Sequence, residues 1–343
     1  MPAMNTFLFL LVDGIGNGAI FGLVALSLVI VHTVTRVVNI AQGEYVMLGA
    51  MTLASFLNQS TPPTLALLLG GGALCAVLDL WAARSSILQL ARIAVIYSAI
   101  GLFAAIAVWL TLWAANSYLL SMLCSLLLVS LLGPVVYRLS VLPSPNANAV
   151  VLVIVSVGVQ MVLHGLALVA WGGQARPVPA ISSAFHELGP VLVSGQMIWI
   201  LAISCTAMGA LYAFFEFTML GKALRATAMD ARGAQLCGIS VSRAGLFAYA
   251  LAACFSGASG MLIAPLVTAN VDMGFLIGLK GFVGATFGGL MTYPISVAGV
   301  TLVGTLDAFA AYGLSTYREA IVFLMILPIL LWRNGLKHQR SDR

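Results

Sequence analysis

Long apolar runs alternate with short breaks that carry charge, proline or glycine, and this alternation sets the architecture of the chain. Each run approaches the roughly 20 residues a helix needs to cross a hydrocarbon core about 30 Å thick. The approximate limits are 14–34, 40–58, 64–82, 93–114, 117–137, 147–170, 193–215, 243–264, 275–291, 294–312 and 316–333. The pattern predicts an all-α integral membrane protein with about 11 transmembrane helices, within a range of roughly 9–11. The run 275–291 is short and rich in glycine, which makes it the candidate for a broken or re-entrant helix. One transmembrane domain accounts for residues 1–343.

Composition agrees: 62% of the residues are hydrophobic and 7% charged, too few charges to cover a water-soluble fold. The formal net charge of +5 comes from Lys and Arg scattered singly through short loops, which argues against nucleic acid as a partner and for a topology signal. With the N-terminus outside, the cytoplasmic side receives Arg36, Arg84, Arg92, Arg138, Lys222, Arg225, Arg232, Arg243, Arg333, Lys337, Arg340 and Arg343. The outside then receives only Arg176 and Arg318, and Lys280 stays inside a run. An odd number of crossings puts the basic C-terminus in the cytoplasm. Met1 to Val12 lacks the basic leader and small-residue cleavage site of a secretory signal, so the first span is expected to stay in the mature protein.

Two connections are long. Trp171 to Leu192 is rich in proline and glycine and faces outside, where it either meets a soluble partner or only links two helices. Glu216 to Ser242 is cytoplasmic, and within it Lys222 to Leu236 is rich in Ala, Leu, Met, Arg and Gln, ending near Gly238. Those residue types favour one short surface helix with a packing face and charges that orient a partner.

The stretch GKALRATAMDARGAQLCGISVSR resembles the coupling loop of ABC importer permeases, and more closely the LivH-type permeases of the hydrophobic amino acid uptake family. GAIFGLVALSLVIVHTVTRVVNIAQGEYVMLGA is similar to that family's first hairpin, whose Asn-Phe-Ala-His-Gly-Glu stands here as Asn39-Ile40-Ala41-Gln42-Gly43-Glu44. GFLIGLKGFVGATFGGLMTYPISVAGVTLVGTLDA resembles the Gly-rich helix pair with its intramembrane Lys and later acidic residue, and VYRLSVLPSPNANAVVLVIVSVGVQ resembles the stretch after the third helix. Gln42 replaces the family's His, and residues 92–132 look like an inserted helical hairpin, expected to pack at the periphery. The resemblance implies the ABC importer permease fold in a bacterial inner membrane. It also implies two ABC ATPase subunits that carry ATP and magnesium, a second, LivM-like permease, and a soluble periplasmic or lipid-anchored solute-binding protein. Membrane lipid surrounds the chain. The implied solutes are branched-chain amino acids or related small amino acids, amides and carboxylates. Coupling falls on residues of the 216–242 loop: Lys222, Arg225, Ala226, Ala228, Asp230, Ala231, Gly238 and Ile239.

Ionisable groups inside a span are costly and usually face a partner or a water-filled path. Asn39, Gln42 and Glu44 open the second run, Lys280 lies in the ninth and Asp307 in the tenth, with Asp79 near the inner end of the third. Lys280 and Asp307 each sit about five residues, or about 8 Å, from the outer ends of adjoining helices, so an ion pair is allowed. A substrate-facing role is the alternative. Gly257 and Gly260, and Gly281, Gly284, Gly288 and Gly289, offer close helix approaches or breaks.

An enzyme is not expected. His32, His164, His186 and His338 are dispersed, the five cysteines show no metal-ligand spacing and read as packing residues, and no phosphate-binding GxxxxGK[ST] occurs. The competing class is an ion-coupled secondary transporter, in which acidic residues in spans bind protons or sodium.

Overall fold

The computed structural model describes residues 2–82, 101–102, 104–106, 108–109, 117–143, 148–188, 191–290, 292–328 and 331. Its elements in chain order are α1 (Pro2–Thr35), α2 (Gln42–Leu57), α3 (Pro63–Ala82), α4 (Tyr118–Ser140), α5 (Ala149–Trp171), β1 (Phe185–Leu188), β2 (Val191–Ser194), α6 (Gly195–Phe217), α7 (Met219–Met229), α8 (Ala231–Leu236), α9 (Val241–Val267), α10 (Met273–Phe287), α11 (Tyr293–Gly313) and α12 (Arg318–Leu324). Among the described residues, seven helices are long and apolar enough to cross a membrane: α1, α3, α4, α5, α6, α9 and α11. Of run 93–114 only 101–102, 104–106 and 108–109 are described, and Arg84, Arg92 and the basic tail residues Arg333, Lys337, Arg340 and Arg343 lie outside the described residues. The last run, 316–333, contains only the seven-residue α12 and a short helical stretch at 326–328 among its described residues.

Two elements are shorter than a bilayer. α2 has 16 residues and α10 has 15, so at about 1.5 Å per residue each rises only about 22–24 Å. α10 is nevertheless unbroken through Gly281 and Gly284 and ends in a turn where Gly289 and Leu290 take φ of 65° and 60°. Between α1 and α2, Arg36 has φ 58° and the chain leaves helical geometry up to Ala41, although Val37, Asn39 and Ala41 are buried. Non-helical backbone inside such a bundle is tolerated where protein groups satisfy it.

α1 begins about a dozen residues before the predicted limit, because Asp13 does not stop the helix: Asn17 Nδ2 donates to its Oδ2 at 3.2 Å. α1 packs on α6, α9, α10 and α11. α2 is wedged among α4, α5, α9 and α10 and is buried at every residue but Leu57. Glycines make the wedge possible, since a Cβ on Gly260 of α9 would overlap the carbonyl oxygen of Val46, and one on Gly43 would lie 2.5 Å from the carbonyl oxygen of Gly274. Such approaches of backbone to backbone are how apolar helices associate when no hydrophobic force separates them from lipid.

Residues 118–132 of the predicted inserted hairpin form most of α4. They are not peripheral: Leu128, Val129 and Leu132 lie in the main core, and Val129 packs on Gly257 of α9. Arg138 of α4 pairs with Asp79 of α3. The long connection after α5 folds back as a two-stranded hairpin, Phe185 opposite Ser194, and Arg176 and Ala269 exchange backbone hydrogen bonds of 2.7 and 3.0 Å. Cys75 is buried, and Cys205 and Cys237 are exposed.

Candidate functional site

Two places collect the candidate side chains. The first is the connection between α6 and α9. Thr218 turns the chain sharply: its hydroxyl donates to the Phe214 carbonyl at 2.6 Å and accepts from Gly221 N at 3.0 Å. Gly221 lies so close to the Phe214 carbonyl that a Cβ there would overlap it. α7 then runs with Gly221, Leu224 and Thr227 buried, at helical spacing, and Lys222 and Arg225 exposed on the other side. The expected single helix is in fact two. Asp230 leaves helical geometry at φ −148°, and its carboxylate accepts from Arg232 N at 2.9 Å, capping α8. Asp is a strong N-cap former, which is why the helix restarts there. Gly238, at φ 81°, ends α8 as predicted.

The resulting elbow exposes Met219, Leu220, Met229 and Leu236, the last at 91%. Ala231 and Gly238 are exposed beside them, and Ala226, Ala228 and Ile239 are half-buried. Arg225 is held by Glu216 at 3.3 Å through both terminal guanidinium nitrogens. Arg36, at the end of α1, donates to the Ala228 carbonyl at the last turn of α7, where a cation suits the helix dipole. A cavity of about 340 Å³ lies there, between Thr33, Arg36, Phe215, Ala228, Met229 and Tyr293. A second, of about 250 Å³, separates α7 from Ser240, Arg243 and Phe247 at the start of α9. The elbow therefore touches α1, α6 and α9 at once, with space on both sides in which to shift.

The second place is inside the bundle. Asn39 Nδ2 donates to Gln42 Oε1 at 3.3 Å, and Gln42 Nε2 donates to Ser256 of α9 at 2.9 Å. Ser256 also shares a hydrogen bond of 2.7 Å with Ser27 of α1. Ser156 of α5 reaches the non-helical segment, accepting from Ile40 N at 3.3 Å. Thus Gln42, where the resembling family carries His, sits in a network of neutral groups. Glu44, one turn into α2, has a fully buried side chain; Gln160 Nε2 of α5 donates to its Oε1 at 3.2 Å. His164, one turn further along α5, stands 3.8 Å from Glu44 Oε2 and 3.5 Å from Asp272 at the start of α10.

Lys280 and Asp307 meet at 3.0 Å, both side chains buried. Sequence reasoning missed their further partners. Arg318 donates to both oxygens of Asp307, at 2.9 and 2.6 Å, and Lys280 also donates to Glu319 at 3.0 Å. Lys280 lies over the Phe21 ring as well, 5.7 Å from its centroid. The four charges form one compensated network joining α10, α11 and α12. It lies apart from the elbow, at the end of α11 opposite Tyr293. Among the described residues no group of His, Cys, Asp and Glu has the arrangement of a metal site.

Residues 92–330 match the protein family described as the permease component of the branched-chain amino acid transport system. The chain is 23% identical to the high-affinity branched-chain amino acid transport system permease protein BraD of Pseudomonas aeruginosa, over 97% of this chain and 96% of that one. It is 24% identical to the permease protein LivH of Salmonella typhimurium, over 60% of this chain and 70% of that one. A solved structure, PsaBC from Streptococcus pneumoniae in complex with Fab, aligns over 93% of this chain and 88% of that one at 14% identity, with a TM-score of 0.36.

Proposed function

The chain belongs to the family of branched-chain amino acid transport permease components, and from that premise we propose how it works as the permease subunit of an ABC importer. The elbow of α7 and α8 is the seat of a separate ATPase subunit. Its exposed Met219, Met229 and Leu236 supply apolar contact, and Lys222 and Arg232 supply charge that orients the partner. Lys222, Arg225, Ala226, Ala228, Asp230, Ala231, Gly238 and Ile239 carry the coupling. ATP and magnesium act on the ATPase pair, and this chain supplies no residues to that chemistry. Closure of the ATPases moves the elbow, and α1, α6 and α9 move with it because Arg36, Thr218 and the Gly238 turn tie them to it. Ligand binding and nucleotide binding then shift one equilibrium between inward- and outward-facing states.

The same reading sets the topology. Arg36, Arg138, Lys222, Arg225, Arg232 and Arg243 fall at the elbow end of the bundle, which is therefore the cytoplasmic end, with the N-terminus outside. The membrane is the bacterial inner membrane. A soluble or lipid-anchored binding protein delivers the solute to the opposite end, and a second permease completes the path. Because the relatives are branched-chain amino acid permeases, the solutes are leucine, isoleucine, valine or similar small amino acids. The buried Glu44 favours an ion-coupled carrier, but such a carrier has no use for the elbow.

The observation that carries the reading is the protruding apolar elbow fixed to three bundle helices. Native Cys237, exposed at the end of α8, tests it directly. With the cognate ATPase co-expressed, a short bismaleimide is expected to cross-link Cys237 to the ATPase, and Cys205 on α6 is not. An ATPase that co-purifies but cross-links only at Cys205 would contradict the docking.

A further inference from the structure

Glu44, His164 and Asp272 come from three separate elements, and the unpaired atoms among them share one chemistry. Glu44 Oε2 is buried with no hydrogen-bond partner among the described residues, and so is His164 Nδ1. Asn270 Oδ1, two residues before Asp272, is a third such atom. His164 Nε2 faces the Asp272 carboxylate at 3.5 Å, and with the proton of the neutral imidazole assigned to Nε2, toward the nearer carboxylate, Nδ1 is an acceptor. Nδ1 then faces Glu44 Oε2 across 3.8 Å, acceptor against acceptor. The arrangement lacks a donor.

We propose that this gap receives the ammonium group of the solute, with Glu44 Oε2 and His164 Nδ1 as its acceptors and the exposed Asp272 as the first carboxylate it meets. The proposal rests on the amino-acid reading above and assigns the charge-recognising point of the path. An ammonium has three donors and no acceptor, which is the complement of what stands unpaired here. A nitrogen at about 2.9 Å from both atoms sees them about 80° apart, an angle that two of its N–H bonds serve. Side-chain exposure grades along the route, from 89% at Asp272 through 32% at His164 to 0% at Glu44. The glycine pair Gly43 and Gly274 sets the site, since only their close backbone approach brings the first turns of α2 and α10 together.

A proton on His164 is the competing way to supply a donor. A charged N–H closes on a carboxylate oxygen to roughly 2.7–2.9 Å, and neither imidazole nitrogen is that close to its carboxylate. Both spacings are longer than such a direct contact, and a nitrogen about 2.9 Å from both acceptors lies beside the line that joins them.

Three probes share a branched carbon skeleton: leucine, isopentylamine, which keeps the nitrogen and lacks the carboxylate, and 4-methylpentanoate, which lacks the nitrogen. The full permease complex in nanodiscs, without binding protein, is titrated with each, and the thermal unfolding midpoint is followed. Leucine and isopentylamine are expected to stabilise it and 4-methylpentanoate is not. Glu44→Gln is expected to weaken both amines by at least about tenfold, and the milder, exposed Asp272→Asn by about threefold, with the unliganded midpoint of the latter unchanged. Equal protection by 4-methylpentanoate, or unaltered amine affinity in both variants, overturns the site. ATP-driven leucine uptake that persists in Glu44→Gln overturns the site and leaves the importer standing. Absence of leucine uptake in the wild-type complex, with no protection by any amine, overturns both.

Discussion

Asp307 accepts from Lys280 on one oxygen and from Arg318 on both, and this sharing decides what each substitution does. Lys280→Met leaves Asp307 paired with Arg318. Asp307→Asn instead leaves Arg318 without a carboxylate partner and the buried Lys280 with Glu319 alone. Breaking a buried pair from one side costs about 3–5 kcal/mol, so Asp307→Asn is expected to lose most folded protein in detergent, and Lys280→Met clearly less. Lys280→Ala with Asp307→Ala is expected to be less damaging than the sum of the two single changes, as measured by unfolding midpoints of purified protein. Additive losses would mean that the pair is not coupled. Glycine positions belong to this scale too. Gly260→Val drives a side chain into the Val46 carbonyl and is expected to cost on the order of 3 kcal/mol or more, seen as a lowered midpoint and reduced yield. Sequence alone exposed Lys280, Asp307 and the glycines, because charges and clustered glycines stand out in apolar runs. Arg318 and Glu319 were not legible as partners, since a loop position for them was equally consistent with the pattern. His164 and Asp272 were hidden for a different reason: nothing local shows that α5 and α10 converge on the first turn of α2.

At the scale of elements, the elbow is where local sequence and the proposed coupling role meet. Thr218, Gly221, Asp230 and Gly238 are a turn hydroxyl, a close-approach glycine, an N-cap and a positive-φ stop, and each does what its chemistry favours. The break at Asp230 was readable from Asp's capping preference, but the Ala-rich run on both sides favoured a continuous helix. Asp230→Ala removes the cap of α8 and is expected to cost about 0.5–2 kcal/mol locally. In transport assays it is expected to lower ATP-driven uptake severalfold while leaving the global unfolding midpoint within about one degree. A fall in midpoint as large as that from Gly260→Val would place Asp230 in the core stability of the bundle instead. α1 starts earlier than the run 14–34 because Asp13, a charged residue just before that limit, accepts a hydrogen bond from Asn17 and the helix continues through it.

For the whole molecule, fold class followed from hydropathy, because lipid admits little except helices for an apolar chain of this kind. The number of crossings did not follow, since α2 and α10 are apolar enough to be read as spans yet shorter than a bilayer. The Gly-rich run 275–291 holds one helix, α10, which ends in a turn at Gly289 and Leu290, and the gap expected between the first two runs is a buried non-helical segment met by Asn39, Gln42 and Ser156. The molecule thus has a polar interior around Glu44, a compensated charge network at one end of α11, and an apolar elbow at the other. The central claim is that nucleotide turnover on separate subunits, transmitted through that elbow, drives solute through the interior. Uptake of radiolabelled leucine into proteoliposomes holding this chain, the second permease, the ATPases and the binding protein tests it most directly. The account predicts uptake that requires ATP, stops with vanadate and ignores a protonophore. Uptake that proceeds without the ATPases and collapses with the proton gradient would contradict it.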